Sequence, residues 1–271
     1  MKLLHPKVIS HMMLLPLLML LSALSLAEYN GLTAEEKGLA IAREADRRDL
    51  GWRDSSASMS MLLRNRQGDE SLREMRNKSL EVDGDGDKSL IVFDEPRDVR
   101  GTALLTFSHR VGDDDQWLYL PALKRVKRIA SSNKSGPFMG SEFAYEDISS
   151  QEVEKYTYRY LRDETLNGQE CFVIERDPVD ENSGYSRQVV WLDKAEYRVQ
   201  KVEYYDRKQS HLKTLTFHDY QQYLDKHWRA SRLEMVNHQT LKSTTLTFTD
   251  FRFATGLDER QFNQSGLARM R

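Results

Sequence analysis

The chain has 271 residues, with 40 Lys and Arg against 42 Asp and Glu, a formal net charge of −2. That balance and a sequence pI near 6.4 supply no basic surplus for tracking phosphates, which argues against a nucleic-acid partner. A mean hydropathy of −0.67 excludes a polytopic membrane protein, whereas 39% hydrophobic and 10% aromatic residues suffice for a packed core and exclude a disordered chain.

Residues 1–27 read as a secretory signal peptide: Lys2 and Lys7 open it, the run from Val8 to Leu24 is almost wholly apolar, and Ser25-Leu26-Ala27 places small residues at the cleavage positions. Cleavage is expected after Ala27, with the periplasm as the predicted compartment. Residues 28–271 then read as a single domain, since no linker or repeat divides them. Loss of Lys2 and Lys7 would take the formal charge from −2 to −4. The only cysteine, Cys171, excludes an intramolecular disulfide. It lies in Cys171-Phe172-Val173-Ile174, which reads as a buried strand.

Thr33-Ala34-Glu35-Glu36 is a capping-box pattern and predicts a helix start. Ala34, Gly38, Ile41, Ala42 and Ala45 continue it to about Asp49 with a narrow face of small residues, suited to close docking on a sheet. Beyond Gly51 the period changes to an alternating one, in Met59, Met61 and Leu63, then in Tyr156, Tyr158 and Tyr160, in Leu215 and Phe217, in Leu233 and Met235, and in Leu246 and Phe248. Turn signals fall at Asp83 to Asp87, Gly112 to Asp115, Leu166 to Gly168, Asp180 to Gly184, Asp193-Lys194 and Asn237-His238. About ten or eleven antiparallel strands are expected, in a mainly β fold with some helix: an open sheet, sandwich or barrel.

Nucleophile elbows, zinc-protease, CxxC, P-loop and dinucleotide-binding patterns are all missing, so the predicted activity is non-enzymatic, without cofactor or metal. Asp83-Gly84-Asp85-Gly86-Asp87 resembles the start of a calcium loop. Lys88 and Asp94 occupy the positions where that loop needs Gly and a bidentate Glu, so a polar turn is the better reading. No two histidines share metal-ligand spacing. Lys124, Arg125, Lys127 and Arg128 form the one dense basic cluster, which suits either anionic headgroups or an acidic partner, or a strand edge guarded against aggregation. Phe138, Met139, Phe143 and Tyr145 sit in a Gly- and Pro-containing segment too irregular for a core element. They are expected either at the mouth of a pocket or on a loop folded back onto the core.

Trp117-Leu118-Tyr119-Leu120-Pro121 with Lys124 to Ile129, then Gly140-Ser141-Glu142-Phe143-Ala144-Tyr145-Glu146-Asp147, resembles the outer-membrane lipoprotein-sorting family of LolA/LolB-like fold. Val190-Trp191-Leu192-Asp193 and Thr247-Phe248-Thr249-Asp250-Phe251 extend the resemblance over roughly residues 50 to 265. It implies an incomplete antiparallel β-barrel wrapped around helices, with an apolar cavity that receives lipid or lipoprotein acyl chains. On that basis Trp117, Tyr119 and Trp191 are expected to line or support the cavity, with Phe138, Met139, Phe143 and Tyr145 at its mouth. The resemblance also implies association with RND-type transporters of the MMPL kind. The expected protein is a monomeric carrier, or else an accessory subunit of such a transporter without a ligand of its own.

Overall fold

The structure, a computed structural model, describes residues 29–269, so the signal segment 1–27 lies outside the described residues. Helix α1 (Ala34–Asp49) begins where the capping box predicts: the Glu36 amide donates to Thr33 Oγ1 at 3.2 Å and the Thr33 amide to Glu36 Oε2 at 2.9 Å. Thirteen antiparallel strands follow, two or three more than the turn signals predict: β1 (Asp54–Arg64), β2 (Glu70–Leu80), β3 (Lys88–Glu95), β4 (Ala103–Phe107), β5 (Asp115–Leu120), β6 (Arg125–Ile129), β7 (Tyr156–Leu166), β8 (Gln169–Pro178), β9 (Tyr185–Asp193), β10 (Val199–Asp206), β11 (His211–Tyr223), β12 (His227–Asn237) and β13 (Lys242–Phe253). Part of the excess comes from a turn without a glycine. Leu224, Asp225 and Lys226 join β11 to β12, the first two with positive φ (51° and 54°), a conformation that Gly or Asn usually signals.

The strand order is β6-β5-β4-β3-β2-β1-β13-β12-β11-β10-β9-β8-β7, a single sheet with β6 and β7 as its two free edges. This is the expected incomplete barrel, curled around one α-helix among the described residues rather than several. The order forces an unusual connection. From β6 to β7 the chain must travel from one edge of the sheet to the other, twelve strand spacings or roughly 58 Å if the sheet were flat. Residues 130–155 make that crossing, through short 3-10 turns instead of a strand or an α-helix.

Alternation along the strands gives the sheet two apolar faces. The inner face gathers Met59, Met61, Met75, Phe93, Ile174 and Leu192 with Ile41 and Ala42 of α1 in one core. Both outer patches have covers of their own. Leu90, Val92, Leu105 and Tyr119 are roofed by Phe262 and Leu267 from the C-terminal segment. Cys171, Val173, Val189 and Trp191 form the other patch, where Lys201 Nζ stands 3.6 Å over the Trp191 ring and the indole N–H donates to Glu164 Oε1 at 3.1 Å. Cys171 is fully buried there, and burial pushes its thiol up to about 11.

The small-residue face of α1 lies directly on β7. A Cβ at Gly38 would stand 2.8 Å from the backbone C and N of Arg159 and from the Tyr160 N. Gly38→Ala is expected to destabilise the protein by about 1–3 kcal/mol through this backbone clash. The roughly 1 kcal/mol by which Ala outranks Gly in a helix opposes that loss. Chemical denaturation of the two proteins checks the sign; a more stable variant would mean that the helix does not dock this closely.

Candidate functional site

Two bodies cover the inner face: α1, packed on β7 and β8, and the crossing segment 130–155. Within the crossing, residues 136–145 fold into a tight loop in which the Phe138 amide donates to the Phe143 carbonyl at 2.7 Å and the Tyr145 amide to the Gly136 carbonyl at 3.1 Å. The loop drives Phe138 and Phe143 into the core, at 1% and 3% exposure, with Met139 and Tyr145 half-buried beside them. Phe138 meets Phe93 and Tyr145, both at 5.8 Å between ring centroids.

Hydrophobic contact alone would let such a loop slide; three acidic side chains fix it. Glu142 Oε2 accepts from Asn237 Nδ2 at 2.7 Å, and Glu146 accepts from Ser183 Oγ at 2.7 Å and from the Gly184 amide at 2.9 Å. Burial holds the Glu146 carboxyl above its ordinary range. Asp147 accepts from Tyr185 Oη at 2.8 Å and from Lys213 Nζ at 2.7 Å, with both side chains of the ion pair at most 4% exposed. Lys213 also donates to the Glu142 carbonyl at 2.8 Å. A cavity of about 900 Å³ opens beside these anchors, between the crossing and the strand ends around Arg207, Leu212 and Lys242.

A second cavity, of about 610 Å³, lies between α1 and the inner face. Ala42 and Ala45 of the helix face Ile174, Val190, Leu192 and Phe217 across it. Its rim is charged. Arg229 pairs with Asp49, and Arg198 with Asp193 at 2.8 Å, whereas Asp46, Asp87 and Glu152 lie on the rim and make no ion pair among the described residues. Arg110 acts on Asp46 and Glu152, and Lys155 on Glu152, only from a distance. Burial raises the Asp87 carboxyl to about 6, against hydrogen bonds from the Val82 amide and Ser150. Burial, with the Asp87 charge beside it, raises Glu152 to about 7.

Three of the expected cavity residues lie on the outer face of the sheet. Trp117 and Tyr119 of β5 belong to the outer cluster under the C-terminal segment, and Trp191 of β9 to the other outer cluster, so none of the three lines the cavity. Their neighbours Leu118, Val190 and Leu192 are the ones that face inward. Phe138, Met139, Phe143 and Tyr145 do come together, on a loop folded back onto the core, and Phe143 also lines the 900 Å³ cavity. Lys124, Arg125, Lys127 and Arg128 lie exposed on and beside β6, a free edge of the sheet, with Arg128 paired to Asp115. Residues that sequence reasoning missed include Lys213 and Arg176, single basic residues inside otherwise mixed strands. His211 and His238 also meet, at 4.4 Å between ring centroids, with both Nε2 atoms bonded to Thr214 Oγ1. Among the described residues no three His, Cys, Asp or Glu side chains converge as a metal set. The Asp83–Asp87 turn serves as a brace instead, since Asp85 accepts from the Arg110 amide at 2.9 Å and contacts His109 Nδ1 at 2.8 Å.

A family model described as an uncharacterized protein matches residues 85–269. A domain from Vibrio parahaemolyticus, described as an outer membrane lipoprotein-sorting protein, is 65% identical over 87% of this chain and all of its own, with a TM-score of 0.85. The chain belongs to that lipoprotein-sorting family. A DUF1329 family protein from Desulfovibrio piger is 32% identical over 87% of this chain and all of its own, with a TM-score of 0.83. A LolA superfamily protein from Nitrosomonas europaea, 20% identical over 87% of this chain and 99% of its own at a TM-score of 0.68, shares the fold. A search of curated proteins gives no match.

Two predictions follow from the anchors and the rim. Lys213→Met leaves the Asp147 carboxylate buried without its cation and is expected to cost about 3–5 kcal/mol in chemical denaturation. Limited proteolysis of the same variant should move its first cut into residues 131–150. The rim carboxyls hold protons in the folded state at pH values where the unfolded chain, near 3.8 for Asp and 4.5 for Glu, has lost them. Their contribution is therefore fully present below about pH 4 and is lost as pH rises through about 6 and 7. Asp87→Asn with Glu152→Gln should flatten that decline in thermal midpoint between pH 5 and 8; an unchanged slope would assign it to other groups.

Proposed function

We propose that this protein is a non-enzymatic periplasmic carrier that shields lipid or lipoprotein acyl chains in the cavity beneath α1. The observation that carries the reading is the 610 Å³ space between the helix and an apolar inner face, a volume within the roughly 300–1,000 Å³ usual for small-ligand sites. Burying each methylene is worth about 0.8 kcal/mol, so part of one acyl chain gives useful affinity without covalent chemistry. The lipoprotein-sorting description of the 65%-identical relative supports the same assignment. No helix among the described residues is long and apolar enough to cross a membrane. In this reading Phe138, Met139, Phe143 and Tyr145 are a displaceable filling, holding the rest of the inner face until a longer chain takes their place. Lys124, Arg125, Lys127 and Arg128 form the contact with anionic headgroups or with a transporter of the RND/MMPL kind, because they edge the sheet where no strand pairs.

Protein purified from periplasm without detergent should carry a stoichiometric lipid or lipopeptide in native mass spectrometry, extractable into solvent. Ala45→Phe, which places a ring in the cavity wall, should reduce the bound fraction at least tenfold while shifting the thermal midpoint little. A wild-type mass that stays ligand-free after incubation with envelope lipids would overturn the carrier reading in favour of an accessory subunit.

A further inference from the structure

Of the arginines on the wall of the 610 Å³ cavity, Arg176 is the one without an ion pair among the described residues, and unlike the rim carboxyls it sits on the strand that carries Ile174. On β8 the side chains of Phe172, Ile174 and Arg176 share the inner face, and the first two join the core. Arg176 lines the cavity. Its Nε donates to Gln188 Oε1 at 2.8 Å, its Nη2 to Gln151 Oε1 at 3.3 Å, and its guanidinium stands 4.4 Å from the Tyr156 ring centroid. These partners are neutral, and among the described residues Arg176 makes no ion pair. The other arginines on the cavity wall differ: Arg47 and Arg48 pair with Glu44, Arg198 with Asp193, and Arg229 with Asp49.

Drawing a guanidinium away from bulk water without a counter-charge is costly, and an apolar residue would continue the pattern of Phe172 and Ile174 at less expense. The two amide oxygens orient the group while leaving its charge available, and Nη1 makes no hydrogen bond among the described residues. A planar fork of N–H donors fixed in this way matches a carboxylate or a phosphate. We infer that the cavity takes an anionic amphiphile, with the acyl chain against Ile174, Val190 and Leu192 and its carboxylate or phosphate on Arg176. The inference rests on the carrier reading and narrows it. An acylated protein terminus with no ionised group beside the chains would leave Arg176 unpaired, whereas a fatty acid or a phospholipid would neutralise it.

The test is calorimetric titration of delipidated mature protein, below micelle formation, with three ligands that share one dodecyl chain: dodecanoate, dodecyl phosphate and uncharged dodecanol. A charge-assisted hydrogen bond corresponds to roughly tenfold to hundredfold in affinity, so at least one anion should bind that much more tightly than dodecanol. Which anion gains more identifies the carboxylate or the phosphate as the natural head. Arg176→Gln should remove the gain and leave dodecanol binding unchanged, and Arg176→Lys should restore part of it. Dodecanol binding as tightly as both anions, or an anion preference that survives Arg176→Gln, overturns the inference while the carrier reading stands. Failure of all three ligands to bind wild-type protein overturns the carrier reading and this inference with it.

Discussion

The structure depends on one constraint: a sheet open at both edges, with an apolar inner face, has to be covered by something other than its own strands. Strand order determines what is available. Because β6 and β7 are the two edges, the connection between them crosses the face and becomes one cover, while α1, entering the sheet through β1, becomes the other. The two covers use different chemistry. α1 docks by shape, through a glycine too close to the Arg159 backbone for any side chain. The crossing docks by polar address: Glu142 and Asp147 meet donors on β12 and β11, and Glu146 meets donors in the loop that leads into β9. A buried ion pair such as Asp147–Lys213 adds little net stability over an apolar pair of the same shape. Its effect is to specify one position for a segment that apolar contacts alone would hold loosely.

Much of this was legible in the sequence, and the reasons are local. The capping box at Thr33 defines the start of α1 to the residue and the small-residue spacing through Ala45 carries it to about Asp49, because caps and faces are written within one turn of where they act. Alternation located strands such as β1, β11 and β13, and the apolar run at Cys171 marked a strand buried on both sides. The orientation of the aromatic residues was not legible. The expectation that Trp117, Tyr119 and Trp191 line or support the cavity comes from the family resemblance alone, and alternation cannot orient them in a sheet whose two faces are both apolar and covered. Val189-Val190-Trp191-Leu192 offers no contrast by which to choose, since all four are buried. Nor does sequence proximity show that Phe138 and Phe143 fill a core. That follows from the sheet order, which is a property of distant pairings.

The site residues that emerged only with the fold are the isolated charges. Lys213 stands between Leu212 and Thr214, and Arg176 between Glu175 and Asp177 like an ordinary solvated charge, so no spacing or basic cluster marks either. They become conspicuous when their surroundings are known: one meets a buried carboxylate, the other does not. The rim carboxyls Asp87 and Glu152 come from a turn and a crossing far apart in the chain, and their mutual repulsion is likewise a product of assembly.

The free edges have a geometric consequence. In a closed barrel, strand number and shear fix the radius, so the interior volume can change only by breaking ladder hydrogen bonds. An unclosed sheet is under no such quantisation. Its curvature is a continuous coordinate, along which β6 and β7 can draw apart or together with every rung of the ladder intact. The girth of what the sheet encloses is then set by the covers rather than by the strands.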